Sequence, residues 1–112
     1  MITSYTFGRI EVDGRVYTSD IILLPSGVME GWWRKEGHAL CLDDIKPVID
    51  AKVEVLVVGR GESGMMRIRP EVEKALSGLG IELISGKTAE ACKTFNDVSA
   101  NRKAAAALHL TC

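Results

Sequence analysis

Val53-Glu54-Val55-Leu56-Val57-Val58-Gly59-Arg60-Gly61-Glu62-Ser63-Gly64 is the stretch that decides how the chain is read. Its nearly unbroken β-branched run is the pattern of a strand buried on both faces, as strands of a parallel sheet are. The glycines that follow predict a turn with accessible backbone directly beyond it. Before this segment the chain reads as hairpins and one short helix; after it, helix and strand alternate. The expectation is an α/β fold with a partly parallel sheet and Val53–Val58 as its central strand.

The totals narrow the function classes. A chain of 112 residues predicts one domain over 1–112, with no room for separate cofactor and substrate domains. An apolar content of 46% and a mean hydropathy of +0.10 can fill a core, and 26% charged residues suit a soluble surface. The formal charge of −1, with no block of lysines and arginines, argues against nucleic acid and membrane surfaces as general partners. Met1-Ile2-Thr3-Ser4 lacks the basic start and apolar core of a signal peptide. Cys41, Cys92 and Cys112 are widely spaced and odd in number, which points to a reducing cytoplasm and not to a disulfide framework.

Working outward, Tyr5–Tyr17 reads as two strands around a turn, with Asp13-Gly14 as the hairpin signal. Ile21–Leu24 is a further strand that stops at Pro25-Ser26-Gly27, and Val28–Arg34 reads as another, its Trp32 and Trp33 facing opposite sides. Asp44 is the expected N-cap of a two-turn helix with Pro47 in its first turn and an end near Ala51. Pro70, Glu71 and Glu73 open a second helix whose stripe is Val72, Leu76 and Leu79, with Gly78 and Gly80 as the stop. Ile81–Ile84 predicts a short strand. Thr88 then caps a helix with Ala89, Cys92 and Phe95 on one side, broken or kinked at Asn96-Asp97. Ala100–Leu108, with its Ala104–Ala107 run, is a strong helix former on propensity.

Two glycine motifs invite a phosphate reading. Gly59-Arg60-Gly61-Glu62-Ser63-Gly64 fits GxGxxG after a buried strand, but the helix begins only at Pro70 and no acidic residue closes the strand at Ile81–Ile84. A permissive turn is the stronger reading, with Arg60 and Ser63 able to hold a small anion. Gly86-Lys87-Thr88 resembles the end of a P-loop, yet Ile81 stands where the first glycine belongs and the intervening positions are strand.

The remaining candidates are weaker still. One HxxC, His38 to Cys41 with Asp43 nearby, does not make a metal site. Cys92 reads as core, and Asp43-Asp44 as capping residues. His109 and Cys112 fall where chain ends fray. The tryptophan pair reads as core or a dimer contact.

Several segments carry a family resemblance. Val55-Leu56-Val57-Val58-Gly59-Arg60-Gly61, Ala91-Cys92-Lys93-Thr94-Phe95-Asn96 and Arg102-Lys103-Ala104-Ala105-Ala106-Ala107-Leu108 resemble the Mth-like domain family, as do Phe7-Gly8, Asp13-Gly14 and Leu23-Leu24-Pro25 near the start. The likeness spans essentially the whole chain and is greatest to the family's short archaeal form. It implies a three-layer fold with a mixed central sheet of about five strands, helices on it and an N-terminal β-hairpin region. Relatives include a mitochondrial complex I assembly factor and an adipogenesis-associated protein. The family implies no established catalytic residue, metal or cofactor. Gly59, Gly61, Thr94, Asn96 and Arg102 carry over as site or structural positions. Ser85-Gly86-Lys87 departs from the usual Met-Asp approach to Thr88, and Asp97 stands at a place usually apolar.

These readings combine in two expectations. The first is a non-enzymatic protein-binding or assembly module that engages a protein partner or a second copy of itself. The second is a small-molecule binder or enzyme whose anionic ligand sits on the Gly59–Gly64 turn. Its candidate residues are Arg60, Gly61, Ser63, Lys87 and Thr88, with Asn96 and Arg102 behind them. Asn96 reads equally as a helix C-cap, and Arg102 equally as a surface charge.

Overall fold

The buried run becomes a strand at Val55–Arg60, in a computed structural model that describes residues 1–112. We number it β7. Gly59 and Arg60, expected in the turn, continue the ladder. Beside it on one side lies β9 (Glu82–Gly86), and on the other β10 (Ala104–His109), both parallel to it. β4 (Ile21–Leu24) pairs antiparallel to β10, and β5 (Gly27–Met29) to β4. The mixed five-stranded order is therefore β5-β4-β10-β7-β9.

The centre of this sheet is β10, the segment expected to be a helix. Ala105, Ala106 and Ala107 are fully buried; β7 pairs along the whole strand, and β4 pairs with Ala106–Leu108 on the other side. Ala104 and Ala106 face one core with Val55, Val57 and Leu23; Ala105 and Ala107 face the other with Leu56, Val58 and Ile22. Alanine's helix preference is worth a few tenths of a kcal/mol per residue, which two-sided burial and ladder pairing with both neighbouring strands outweigh. Its small side chain lets covering layers approach both faces.

Those layers make the fold three-layered. One face is covered by α3 (Thr88–Ser99) and a sheet of β1 (Ile2–Thr6), β2 (Arg9–Val12) and β3 (Arg15–Tyr17). The other carries α1 (Lys46–Asp50), α2 (Pro70–Gly78) and the buried side chains of Trp32, Leu40 and Met66. The first segment thus holds three strands where two were expected, because Phe7-Gly8 forms a second turn. At the other turn Asp13 (φ 50°) and Gly14 (φ 83°) have the left-handed pair of a type I′ hairpin, as their dipeptide predicts.

Other expectations shift locally. Strand character ends at Met29, since Gly31 turns the chain and Trp32 N–H donates to the Asp20 carbonyl at 2.9 Å instead of to a ladder. The tryptophans still diverge: Trp32 is buried, with Nε1 donating to the Asp44 carbonyl at 2.9 Å, and Trp33 is exposed. Asp44 caps a 3-10 turn at Leu42–Ile45, accepting the Cys41 N–H at 2.9 Å, and α1 follows with Ile45 as N-cap and Pro47 in its first turn. Leu79 lies beyond the buried stripe of α2, at its C-cap, and is exposed. α3 runs through Asn96-Asp97 without a break, because the Asn96 amide is used outside the helix. Residues 39–40 (β6) and 67–68 (β8) form a small parallel pair that no sequence pattern announced. No helix is long and apolar enough to cross a membrane.

Ala106→Leu tests the two-sided burial of β10. Overpacking is expected to lower stability by about 1–3 kcal/mol, read as a fall in the urea midpoint. A wild-type midpoint in this variant would mean that the segment is not central.

Candidate functional site

In a parallel sheet ligands gather beyond the carboxyl ends of the strands, and here β7, β9 and β10 end together. Gly59 lies where α3 begins: a Cβ there would come within 2.9 Å of Thr88 Oγ1 and 3.2 Å of Thr88 Cα. At Gly61, φ is +101° and a Cβ would collide with the Thr111 carbonyl oxygen. Both glycines are thus required by close approach, of a helix and of the chain's last residues.

Thr88 binds these parts together. It is the first residue of α3, after Lys87 as N-cap, so it does not cap the helix as expected. Its fully buried hydroxyl donates to the His109 carbonyl at 2.5 Å and accepts the Gly61 N–H at 2.9 Å. The rest of the turn is equally occupied. Glu62 N–H donates to the Thr111 carbonyl at 3.3 Å, Ser63 N–H to Cys112 O at 3.1 Å, and Gly64 N–H to the Gly61 carbonyl at 3.2 Å. The amides that an anion-binding nest uses are therefore engaged within the chain. Arg60 holds the outer loop, its Nε donating to the Met66 carbonyl at 2.7 Å, while Lys87 lies against Gly64.

Of the predicted site residues, Arg60, Gly61, Ser63, Lys87 and Thr88 gather at this end. Asn96 and Arg102 do not. The Asn96 side chain clamps β1 to α3, donating to the Ile2 carbonyl at 2.7 Å and accepting the Ile2 N–H at 2.9 Å. It stands inside α3 and is not a C-cap. Arg102 pairs with Glu82 at 2.7 Å on the surface.

The polar centre of this end went unread in the sequence. Asp20, just before β4, accepts from Arg34 Nη1 at 2.8 Å and from His109 Nδ1 at 2.7 Å on Oδ2, and from the Leu110 N–H at 2.7 Å on Oδ1. Burial by itself raises the Asp20 pKa, but the hydrogen bonds from His109, Leu110 and Arg34 outweigh it and hold the carboxyl below the usual range. The same His109 Nδ1 also lies 3.0 Å from Arg34 Nη2, so Asp20, Arg34 and His109 form one contiguous polar cluster. Arg34 stacks over Trp32 at 4.8 Å and donates to the Gly37 carbonyl at 3.2 Å. His109, which had been expected to fray, is the last residue of β10 and is 5% exposed. Its Nε2 and the Nε of Arg34 are buried without a hydrogen-bond partner.

The Thr88 hydroxyl is committed on both sides, and the Cys92 thiol on the opposite core is pushed up to about 11 by burial, which keeps it protonated. Asp43 faces solvent in an ion pair with Lys35 at 2.7 Å, apart from the capping role of Asp44. Large apolar side chains surround the end instead. Phe7 precedes Gly8, whose N–H donates to the Leu110 carbonyl; Trp33 precedes Arg34; Met65 precedes Met66, whose N–H donates to the Arg60 carbonyl. All three are exposed.

Comparison with known proteins agrees with this architecture. The model of a family described as a protein of unknown function (DUF498/DUF598) matches residues 2–109. The NADH dehydrogenase [ubiquinone] 1 alpha subcomplex assembly factor 3 of Danio rerio is 27% identical over 110 residues, 96% of this chain. The chain spans 62% of that relative's length. A conserved hypothetical protein from Pyrococcus horikoshii has a similar structure, with a TM-score of 0.86 at 26% identity over 100% of this chain and 99% of the other. A Mth938-like domain from Bordetella pertussis shares the fold, with a TM-score of 0.71 at 23% identity over 97% and 84% of the two chains.

Removing the Asp20 carboxylate leaves Arg34 buried and unpaired. Asp20→Ala is expected to cost about 3–5 kcal/mol in urea unfolding. Because its pKa is lowered in the folded state, the stability Asp20 contributes is present above the ordinary value of 3.8 and is lost as pH falls below it. Wild type should therefore lose stability toward the variant's level in that acid range, and parallel pH profiles would refute the assignment.

Proposed function

Because the chain belongs to the family of proteins of unknown function DUF498/DUF598, we propose for it a non-enzymatic role as a protein-binding or assembly module. The observation that carries this reading is the set of apolar side chains around the end of β10. Trp33 is 77% exposed, Phe7 63% and Met65 62%, and each flanks a residue hydrogen-bonded to the rigid strand ends. Exposed aromatic and methionine side chains on a fixed frame are what protein interfaces use as anchors. The relative named as an assembly factor supports the same reading. The three cysteines, which form no disulfide, support a reducing compartment such as the cytoplasm for this role. The alternative, an anionic small molecule on the Gly59–Gly64 turn, retains the side chains of Arg60, Ser63 and Lys87 but must compete for backbone amides already in use.

A photo-crosslinking amino acid at position 33 or 65, with position 93 on the exposed face of α3 as control, tests the module in its native host. Adducts specific to 33 and 65 are expected, either with another protein or at twice the chain's mass for self-association. Equal labelling at all three positions, or none, would refute the reading.

A further inference from the structure

Beside Met65, between the 36–39 loop and the junction of β8 with α2, lies an open groove of about 600 Å³. Its apolar lining is the half-buried Ile68 and Ala39, which form the floor, with the exposed Met65 and Pro70 beside them. Its rim is polar: Glu36 and His38 on one side, Arg67 and Arg69 on the other. We propose that this groove docks an acidic segment of a protein partner, seating an apolar side chain on the floor and a carboxylate on Arg67. The proposal rests on the assembly reading above and names the chemistry of the partner.

The groove is built before anything enters it. Its two sides are stitched by the β6–β8 pair, with Arg67 N–H donating to the His38 carbonyl at 2.8 Å and Arg69 N–H to the Leu40 carbonyl at 3.2 Å. Leu40 and Met66, on either side of that stitch, are fully buried in the core below. Such a frame loses little conformational freedom on binding, which favours affinity.

Charge selects the occupant. The rim's single carboxylate, on Glu36, is already held by Arg69 through both oxygens. Arg67 is exposed and forms no ion pair, nor do Arg60 and Lys87 on the adjoining turn. Glu73 of α2 faces away, toward Ser77, Glu82 and Leu83. Among the residues that line the groove, with Glu36 and Arg69 paired, the charge left uncompensated is that of Arg67, while the chain as a whole carries −1. A guanidinium forks onto a carboxylate through two N–H groups, which gives direction as well as attraction. The open shape and the apolar floor suit a polypeptide, whose side chains alternate between floor and rim; a small molecule is usually enclosed over most of its surface.

Selection of random peptides displayed on phage against wild type, Arg67→Glu and Trp33→Ala, followed by titration of the best synthetic peptide, tests this. Wild type is expected to enrich Asp or Glu flanked by apolar residues, with amide shifts confined to 36–39 and 65–70. Arg67→Glu should weaken that peptide by about tenfold or more, the worth of one charge-assisted contact, and redirect selection toward Lys or Arg. Arg67→Gln, which keeps size and removes charge, should fall between the two. Peptides without acidic residues, equal binding by Arg67→Glu, or no enrichment would each overturn the groove assignment. Loss in Trp33→Ala but not in Arg67→Glu would overturn it while leaving the assembly reading standing. Preference for a single-stranded RNA oligomer over the acidic peptide would also overturn it.

Discussion

The insertion of β10 between β4 and β7 is the constraint on which the remaining structure depends. A strand in that position has neighbours on both edges and a packed layer on both faces, so its backbone and side chains must be satisfied entirely within the protein. Four consecutive alanines meet the steric demand, because each face can close over a methyl group. The N-terminal strands and α3 close one face, and α1 and α2 the other. The last strand in the chain therefore joins segments that lie early, in the middle and late in the sequence.

Where β10 ends, burial gives way to a compact polar network. Thr88 joins α3, the glycine turn and His109 through one hydroxyl, and Asp20 joins β4 to β10 and to Arg34. The two networks meet at His109, whose carbonyl serves one and whose ring serves the other. This network holds the backbone of the end in place and leaves Phe7, Trp33 and Met65 outside it. Rigidity within and apolar surface without are complementary properties: the first reduces the ordering cost that the second would otherwise carry in an interaction. The groove beside Met65 extends the same logic, since its walls are tied by backbone hydrogen bonds and, on its rim, the charge of Arg67 remains free.

Legibility in the sequence followed the range of the determining interaction. Asp13-Gly14, Pro70 and the Val55–Val58 run were readable because their causes are local: a left-handed pair, a proline at a helix start and a β-branched stripe. The Mth-like likeness placed the whole in a three-layer arrangement, and the sheet and its layers agree with it. Ala104–Ala107 was misread because propensity is local and burial is not. Asn96 and Arg102, grouped with the glycine turn on family grounds, belong to contacts with Ile2 and Glu82 elsewhere. Asp20, Arg34 and His109 gave no signal, being separated by 14 and 75 residues along the chain.

By itself, then, the sequence determined that a doubly buried strand leads into a permissive glycine turn, that hairpins precede it, and that helix and strand alternate after it. Those are properties of dihedral preference and of apolar period, which act over a few neighbouring residues. The tertiary structure alone decided which strand is central, which amides of the turn are already occupied, and which charges meet or stay unpaired. Each of those outcomes depends on segments brought together from across the chain, where solvent exclusion reverses local preference and geometry assigns the partners.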